Sequence, residues 1–172
     1  MPTERRPATE AEARALASAL RLRIIRLCHD RCLTNRELAH LLATNPATML
    51  HHVRKLVDTG FLVAEPARRG KRGSREVPYR STGKSWRLDI GEHDKSSQAV
   101  LDAYLQEVGL VDLDRTYLVR LGLRLSEKEY AEVTRRLHDL LEEFASNPAS
   151  DESRAYSLYL NLHPDVTRDA AG

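Results

Sequence analysis

The sequence predicts an α+β fold: a basic, mostly helical first half ending in a cationic hairpin, then an acidic half of mixed structure. Three observations predict it. Residues 33–60 read as two helices joined by a tight turn. After Gly60 the helical period gives way to alternation on either side of a glycine- and arginine-rich tip. Charge is also divided. Residues 1–90 hold 18 Lys/Arg against 9 Asp/Glu, a net of +9, while residues 91–172 hold 9 against 16, a net of −7. A chain of 172 residues with 41% hydrophobic content has room for one packed domain and a smaller second unit, expected at 9–90 and 91–172. No apolar run approaches the ~18 residues of a membrane span. The opening MPTERRPATEAEA has no apolar stretch of the secretory kind. Two cysteines are too few for a disulfide framework, so a cytoplasmic location is expected.

Residues 1–8 are expected to be disordered. An alanine-rich helix opens at Thr9, and Ala11, Ala15 and Leu16 are candidates for a face against a partner helix. The pattern restarts near Ser18, placing Leu20, Ile24 and Leu27 inward and Arg21, Arg23 and Arg26 outward. In TNRE, Thr34 and Glu37 form a capping box that opens the next helix, with Leu38, Leu41 and Leu42 on one face. That helix ends at Ala43-Thr44. Asn45 then caps a helix over 46–58, with Pro46 at its first position, where no N–H is needed. Met49, Val53, Leu56 and Val57 form its inner face, and Gly60 is its expected left-handed cap.

The outer face of helix 46–58 shows Ala47, Thr48, His51, Arg54 and Lys55, with His52 near the boundary. It carries no acidic residue before Asp58, and its first turn is small and polar. A helix entering a DNA major groove by its N-terminus needs these features. Residues 61–65 then read as a strand, 68–75 as the tip RRGKRGSR, and 77–80 as a returning strand. Glycine permits close approach to phosphate, and arginine enters narrow minor grooves. Such a hairpin directly after a helix-turn-helix is a wing. The bland alternatives are a solvated helix face, a loop that is positive by accident, and a chance split of charge.

Three segments, ALASALRLRIIRLCHD, LTNRELAHLLATNPATMLHHVRKLVDTGFLVAEP and YRSTGKSWRLD, resemble the ArsR-type winged helix-turn-helix repressors. The resemblance is to the actinobacterial branch with an extended C-terminal region. It spans roughly residues 14–90, and its most specific parts are A-L-x-x-x-L-R-L-R-I and H-H-V-x-x-L. It implies a homodimer on an imperfectly palindromic operator, released by an effector, with the helix after the wing pairing with the N-terminal helix. Metal-sensing members carry Cys-x-Cys near the start of the first helix of the pair. Residues 34–42 have no cysteine, so no metal or cofactor is expected, and a small-molecule effector stays open.

A further helix is expected from Asp94, with Ala99, Val100, Ala103, Tyr104 and Val108 as its apolar positions. Residues 115–125 alternate, Tyr117, Val119, Leu121, Leu123 and Leu125 facing one way, which reads as a half-buried strand. Ser126 and Glu129 form a second capping box, opening a helix to about Ala145 with Leu137, Leu140, Leu141 and Phe144 on its apolar side. Residues 156–162 alternate again. The expected appendage is therefore strand–helix–strand, and there is no internal repeat.

The candidate DNA-binding residues are Asn45, Ala47, Thr48, His51, His52, Arg54 and Lys55 on the helix and Arg68, Arg69, Lys71, Arg72 and Arg75 on the wing. Thr48, His51 and Lys55 suit base edges or phosphate, and Arg54 suits phosphate; His52 instead fits packing inside the domain equally well. Cys28 and Cys32, i and i+4 in a helical pattern, read as small hydrophobes ahead of a zinc or redox pair, because a closed zinc site needs four ligands. Tyr104, Tyr117, Tyr130, Tyr156, Tyr159 and Trp86 suit packing or an effector pocket. No nucleophile elbow, phosphate loop or metal-binding histidine pair appears, so no enzyme is expected. The expected function is a dimeric DNA-binding regulator, a repressor. The alternative is a winged helix that holds an acidic protein partner.

Overall fold

The computed structural model describes residues 5–70, 74–89, 94–147, 150 and 152–169. It forms two compact units, Thr3–Val111 and Asp112–Gly172.

The first unit opens with β1 (Arg6–Pro7) and continues through α1 (Glu10–Leu16), α2 (Ala19–Leu27), β2 (Leu33–Thr34), α3 (Asn35–Leu41) and α4 (Pro46–Asp58). Then come β3 (Leu62–Ala64), β4 (Arg68–Arg69), β5 (Arg75–Glu76), β6 (Pro78–Ser81), a 3₁₀ turn (Lys84–Arg87), β7 (Leu88–Asp89) and α5 (Asp94–Val108). The bounds of α4 are those expected. Ile24, Leu38, Met49, Val53, Leu56 and Phe61 are fully buried and form the centre of the core. Leu41 departs from its expected inward face and is 47% exposed.

Three strands assemble in the order β2-β6-β3, both pairs antiparallel, with Leu33 opposite Tyr79 and Val63 opposite Arg80. β4 and β5 pair as a separate hairpin, Arg68 opposite Glu76 and Arg69 opposite Arg75. The expected hairpin is present: β3 and β6 overlap its two expected strands, β4 and β5 carry the pairing into the expected tip 68–75, and Lys71 and Arg72 lie outside the described residues. Residues 5–8 are ordered: β1 pairs in parallel with β7, and the Arg5 guanidinium lies 4.4 Å from the centre of the Trp86 ring.

α5 packs on α1 and α2 of its own chain. The first compact unit therefore runs to Val111 and includes α5. The contact is close because small residues line it: Ala13 and Ala15 on α1 and Ala99 and Ala103 on α5 are all buried. Buried Ser96 of α5 donates to the Ala13 carbonyl at 3.0 Å.

α3 and α4 end in the same hydrogen-bonded motif with different residues. After α4, the Phe61 N–H donates to the Leu56 carbonyl at 2.8 Å, and Gly60 takes the left-handed position at φ 74°. After α3, the Thr44 N–H donates to the Ala39 carbonyl at 2.9 Å, and Ala43 takes that position at φ 47°. Alanine there carries a Cβ penalty that glycine lacks. We expect Ala43→Gly to raise stability by about 0.5–1 kcal/mol, against the usual cost of glycine, as a higher melting temperature with unchanged circular dichroism.

One carboxylate holds the start of the chain. Thr9 and Glu12 form a capping box on α1, and Glu12 is almost fully buried. Its oxygens accept from Arg6 Nη2 at 2.6 Å, Lys84 Nζ at 2.6 Å and the Thr9 N–H at 2.8 Å. The Arg6 hydrogen bonds, helped by Lys84 and Thr9, hold its carboxyl far below the usual carboxylate range despite burial. A pKa lowered by folding adds stability that is fully present above the unfolded value of 4.5 and is lost as the pH falls below it. Glu12→Gln should cost about 2 kcal/mol at pH 7, and the gap from the parent should close as melts are taken from pH 5 towards pH 2.

The second unit has a 3₁₀ turn (Leu113–Arg115), α6 (Glu127–Ala145) and α7 (Val166–Asp169). The Ser126–Glu129 capping box opens α6 where expected. The two expected strands do not form. Residues 116–125 and 156–162 belong to no sheet, and Tyr117, Leu121, Tyr156 and Leu158 are 96%, 72%, 87% and 62% exposed. The appendage is thus a helix between two non-strand stretches, not strand–helix–strand. Alternation shows that a segment has one apolar side, but a strand also needs a neighbour. None of the described residues of this unit is buried.

Candidate nucleic-acid interface

The candidate surface is built outward from the first turn of α3. Thr34 Oγ1 accepts from the Glu37 N–H at 3.3 Å, and a Glu37 oxygen accepts from the Thr34 N–H at 2.7 Å, closing the capping box. The other residues of that turn each bind a different element. Asn35 Nδ2 donates to the Pro46 carbonyl at 2.9 Å, tying α3 to the first turn of α4. Arg36 pairs with Glu76 of β5 at 3.3 Å. Glu37 also accepts Arg68 of β4 at 2.8 and 2.9 Å. Both strands of the hairpin and the start of α4 are therefore anchored to the same short stretch.

Asn45 accepts from the Ala47 N–H at 2.8 Å through Oδ1, which starts α4 as expected. Asn45, Ala47, Thr48, His51 and Arg54 are exposed, and Lys55 is half-exposed. The outer face of α4 is thus open and free of carboxylates until Asp58. His52 is half-buried. Arg21 Nη1 lies 3.4 Å from His52 Nδ1, and a guanidinium can only donate, so Nδ1 is the acceptor. Burial, then Arg21, then His51 lower the His52 pKa. Arg21 itself is turned in, not outward, and donates to the Arg14 and Ala15 carbonyls. Of the expected surface residues, His52 therefore belongs to the α2–α4 contact.

On the hairpin, Arg69 and Arg75 are exposed and have no partner among the described residues, whereas Arg68 is engaged by Glu37. The hydrogen bonds with Thr34, assisted by Arg68, keep Glu37 ionised at lower pH than usual. At the far end of α4, Lys84 Nζ donates to the Thr59 carbonyl at 2.6 Å, placing a cation at the helix C-terminus. The Asn35, Arg36 and Lys84 roles are not visible in the sequence. The capping-box spacing marks Glu37 for its cap alone.

Cys28 and Cys32 do not share a helix face. α2 ends at Leu27, Cys28 is its C-cap, and Cys32 lies beyond the following turn. Cys28 is fully buried, and burial pushes its thiol up to about 11. A neutral thiol reagent at pH 7 should label Cys32 quickly in the native protein and Cys28 only after denaturant is added. Equal labelling of both in the native state would contradict the packing.

The family model described as a helix-turn-helix domain matches residues 16–65. No curated protein matches the chain. Solved structures similar to it include a Thermoplasma acidophilum protein named as a transcriptional regulator, at 19% identity, covering 58% of this chain and 99% of that one, TM-score 0.39. A mutant of Lactococcus lactis ZitR in apo form shares 22% identity over 74% of this chain and 83% of that one, TM-score 0.36. A mutant MarR from E. coli, complexed with operator DNA, shares 19% identity over 78% and 76%, TM-score 0.32. Among the described residues no helix is long and apolar enough to cross a membrane. The stretch that matches the helix-turn-helix model, 16–65, holds α3 and α4 as its helix pair, and the β4–β5 hairpin follows it.

Proposed function

We propose that this chain is a sequence-specific, DNA-binding transcriptional regulator of the ArsR type, acting as a homodimeric repressor in the cytoplasm on a palindromic operator. α4 enters the major groove by its N-terminus, and the hairpin lies on adjacent phosphates or in the minor groove. One observation carries this reading. The open, carboxylate-free face of α4 and the two strands of a cationic hairpin are anchored to one turn of α3. Thr48 and His51 sit where base edges would lie. Arg54, Lys55, Arg69 and Arg75 supply phosphate contacts, joined by Lys71 and Arg72 at the tip. Arg68 serves as an anchor for the hairpin. A small-molecule effector is part of the proposal only as the signal that releases the operator, and no residue is assigned to it.

In a mobility-shift titration over salt, binding should weaken steeply as counterions return to the duplex. Replacing Arg69 or Arg75 by Ala should lower the log–log salt slope by about one each. Arg68→Ala should change the slope by well under that amount. Replacing Thr48 and His51 by Ala should narrow the gap between operator and random duplex by about 1–3 kcal/mol for each base edge no longer read. A weakening equal on every sequence would assign both residues to the backbone. Salt-independent, weak association with any duplex would overturn the DNA-binding reading.

A further inference from the structure

The β4–β5 register gives the hairpin two faces. Arg68 stands opposite Glu76 and Arg69 opposite Arg75. The Gly70 N–H donates to the Ser74 carbonyl at 2.7 Å, which continues the pairing by one step. Neighbours along a strand alternate between faces, and residues directly opposite share one. Arg68, Gly70, Ser74 and Glu76 therefore lie on one side, Arg69 and Arg75 on the other. The first side is the one turned to α3, since Arg68 reaches Glu37 and Glu76 reaches Arg36. The second carries Arg69 and Arg75, both exposed.

On the first side, the place of a side chain at residue 70 is already taken. A Cβ there would lie 2.6 Å from Glu76 Oε1 and 2.7 Å from Glu76 Cγ, too close for any real pair. The backbone itself does not ask for glycine. Among the described residues the left-handed glycines are Gly60 and Gly83, and Gly70 is not one of them. What Gly70 accommodates is the Glu76 side chain, which crosses it. The Oε1 atom beside Gly70 is also the one 3.3 Å from Arg36 Nη1, and only 19% of the Glu76 side chain is exposed. Alanine at 70 would leave the backbone path unchanged but would occupy the place of that carboxylate. Glu76 can turn away by rotating about its own bonds, and in doing so it leaves Arg36. We infer that Gly70 and Glu76 are positioning residues for DNA binding: the missing side chain at 70 lets Glu76 reach Arg36, and that pair keeps the Arg69 and Arg75 side of the hairpin turned away from α3. Neither residue need touch the duplex. The inference rests on the DNA-binding reading above. It competes with the other use of glycine in such a loop, close approach of the backbone to a phosphate, in which Gly70 would act on DNA directly.

The test uses the full chain and a duplex selected by the parent protein from a random-sequence library. Affinity is read by mobility shift at one salt concentration for Gly70→Ala, made alone and on top of Arg36→Ala or Glu76→Ala. Alone, it should weaken binding by about 2–5-fold, the worth of one exposed ion pair. In either second background it should add no further loss, because the pair is already broken. The free Gly70→Ala protein should melt with the parent. Its Arg36 side-chain N–H resonance, identified as the one missing from Arg36→Ala, should move as it does in Glu76→Ala. An equal loss from Gly70→Ala in all three backgrounds assigns Gly70 to phosphate and overturns the inference. An Arg36 resonance that stays in place overturns it too, as does one that moves while affinity holds. A loss of affinity matched by a lower melting temperature also overturns it, since the role is then to hold the fold. In each of these cases the parent still binds DNA and the proposed function stands. If selection yields no duplex that the parent binds, the inference falls together with the DNA-binding reading.

Discussion

The geometry of the first unit depends on a single turn of helix, from Thr34 to Glu37. Its four residues make four different bonds: a capping box closed on itself, an amide to the carbonyl of Pro46, an arginine to β5 and a carboxylate to β4. Each bond is modest, since exposed ion pairs contribute little to stability. Their combined effect is on direction. A hairpin of two short strand pairs has no packed core of its own, so its orientation comes from what holds its base. Two ion pairs, one per strand, resist rotation as one cannot. They refer the hairpin to the helix that also sets the start of α4.

Local signals made much of this architecture legible. Asn45-Pro46 and Gly60 set the ends of α4, because caps are short-range chemistry. Ser126 and Glu129 placed the start of α6 for the same reason. The readings that failed depended on distant partners. Arg21 lies in the outward pattern of α2, yet it turns in to the carbonyls ending α1 and to His52. Leu41 has the spacing of a core residue and stays exposed. Cys28 and Cys32 have helical spacing, but α2 ends at Leu27, before both. Glu12 has the sequence of a solvated helix start and became the buried anchor of the N-terminal strand through Lys84, 72 positions along.

The second unit shows the same limit from the other side. Its periodicity was clear: alternation over 115–125, an amphipathic helix, alternation again. Periodicity reports which side of an element seeks apolar company, not who provides it. Within one chain the helix forms, because its hydrogen bonds are internal. The alternating stretches form no sheet, because a ladder needs a second backbone. Elements that complete their bonds within one segment form here, and the ones that need a second backbone do not.

Charge completes the division of labour. The hairpin region 68–75 holds five basic residues, which suggests five counter-charges for a polyanion. The structure lowers that number, because Arg68 is matched by Glu37 before any ligand arrives. The pairing also solves a problem for the capping carboxylate. The Thr34 hydrogen bonds favour the ionised form of Glu37, and a bare carboxylate would repel a polyanion at a few ångströms' distance. The Arg68 Nη2 group, which spans both of its oxygens, cancels that charge locally and leaves Arg69 and Arg75 unmatched among the described residues. An arginine pointing at a carboxylate in a cationic wing is therefore not wasted: it keeps the helix cap compatible with a negatively charged partner.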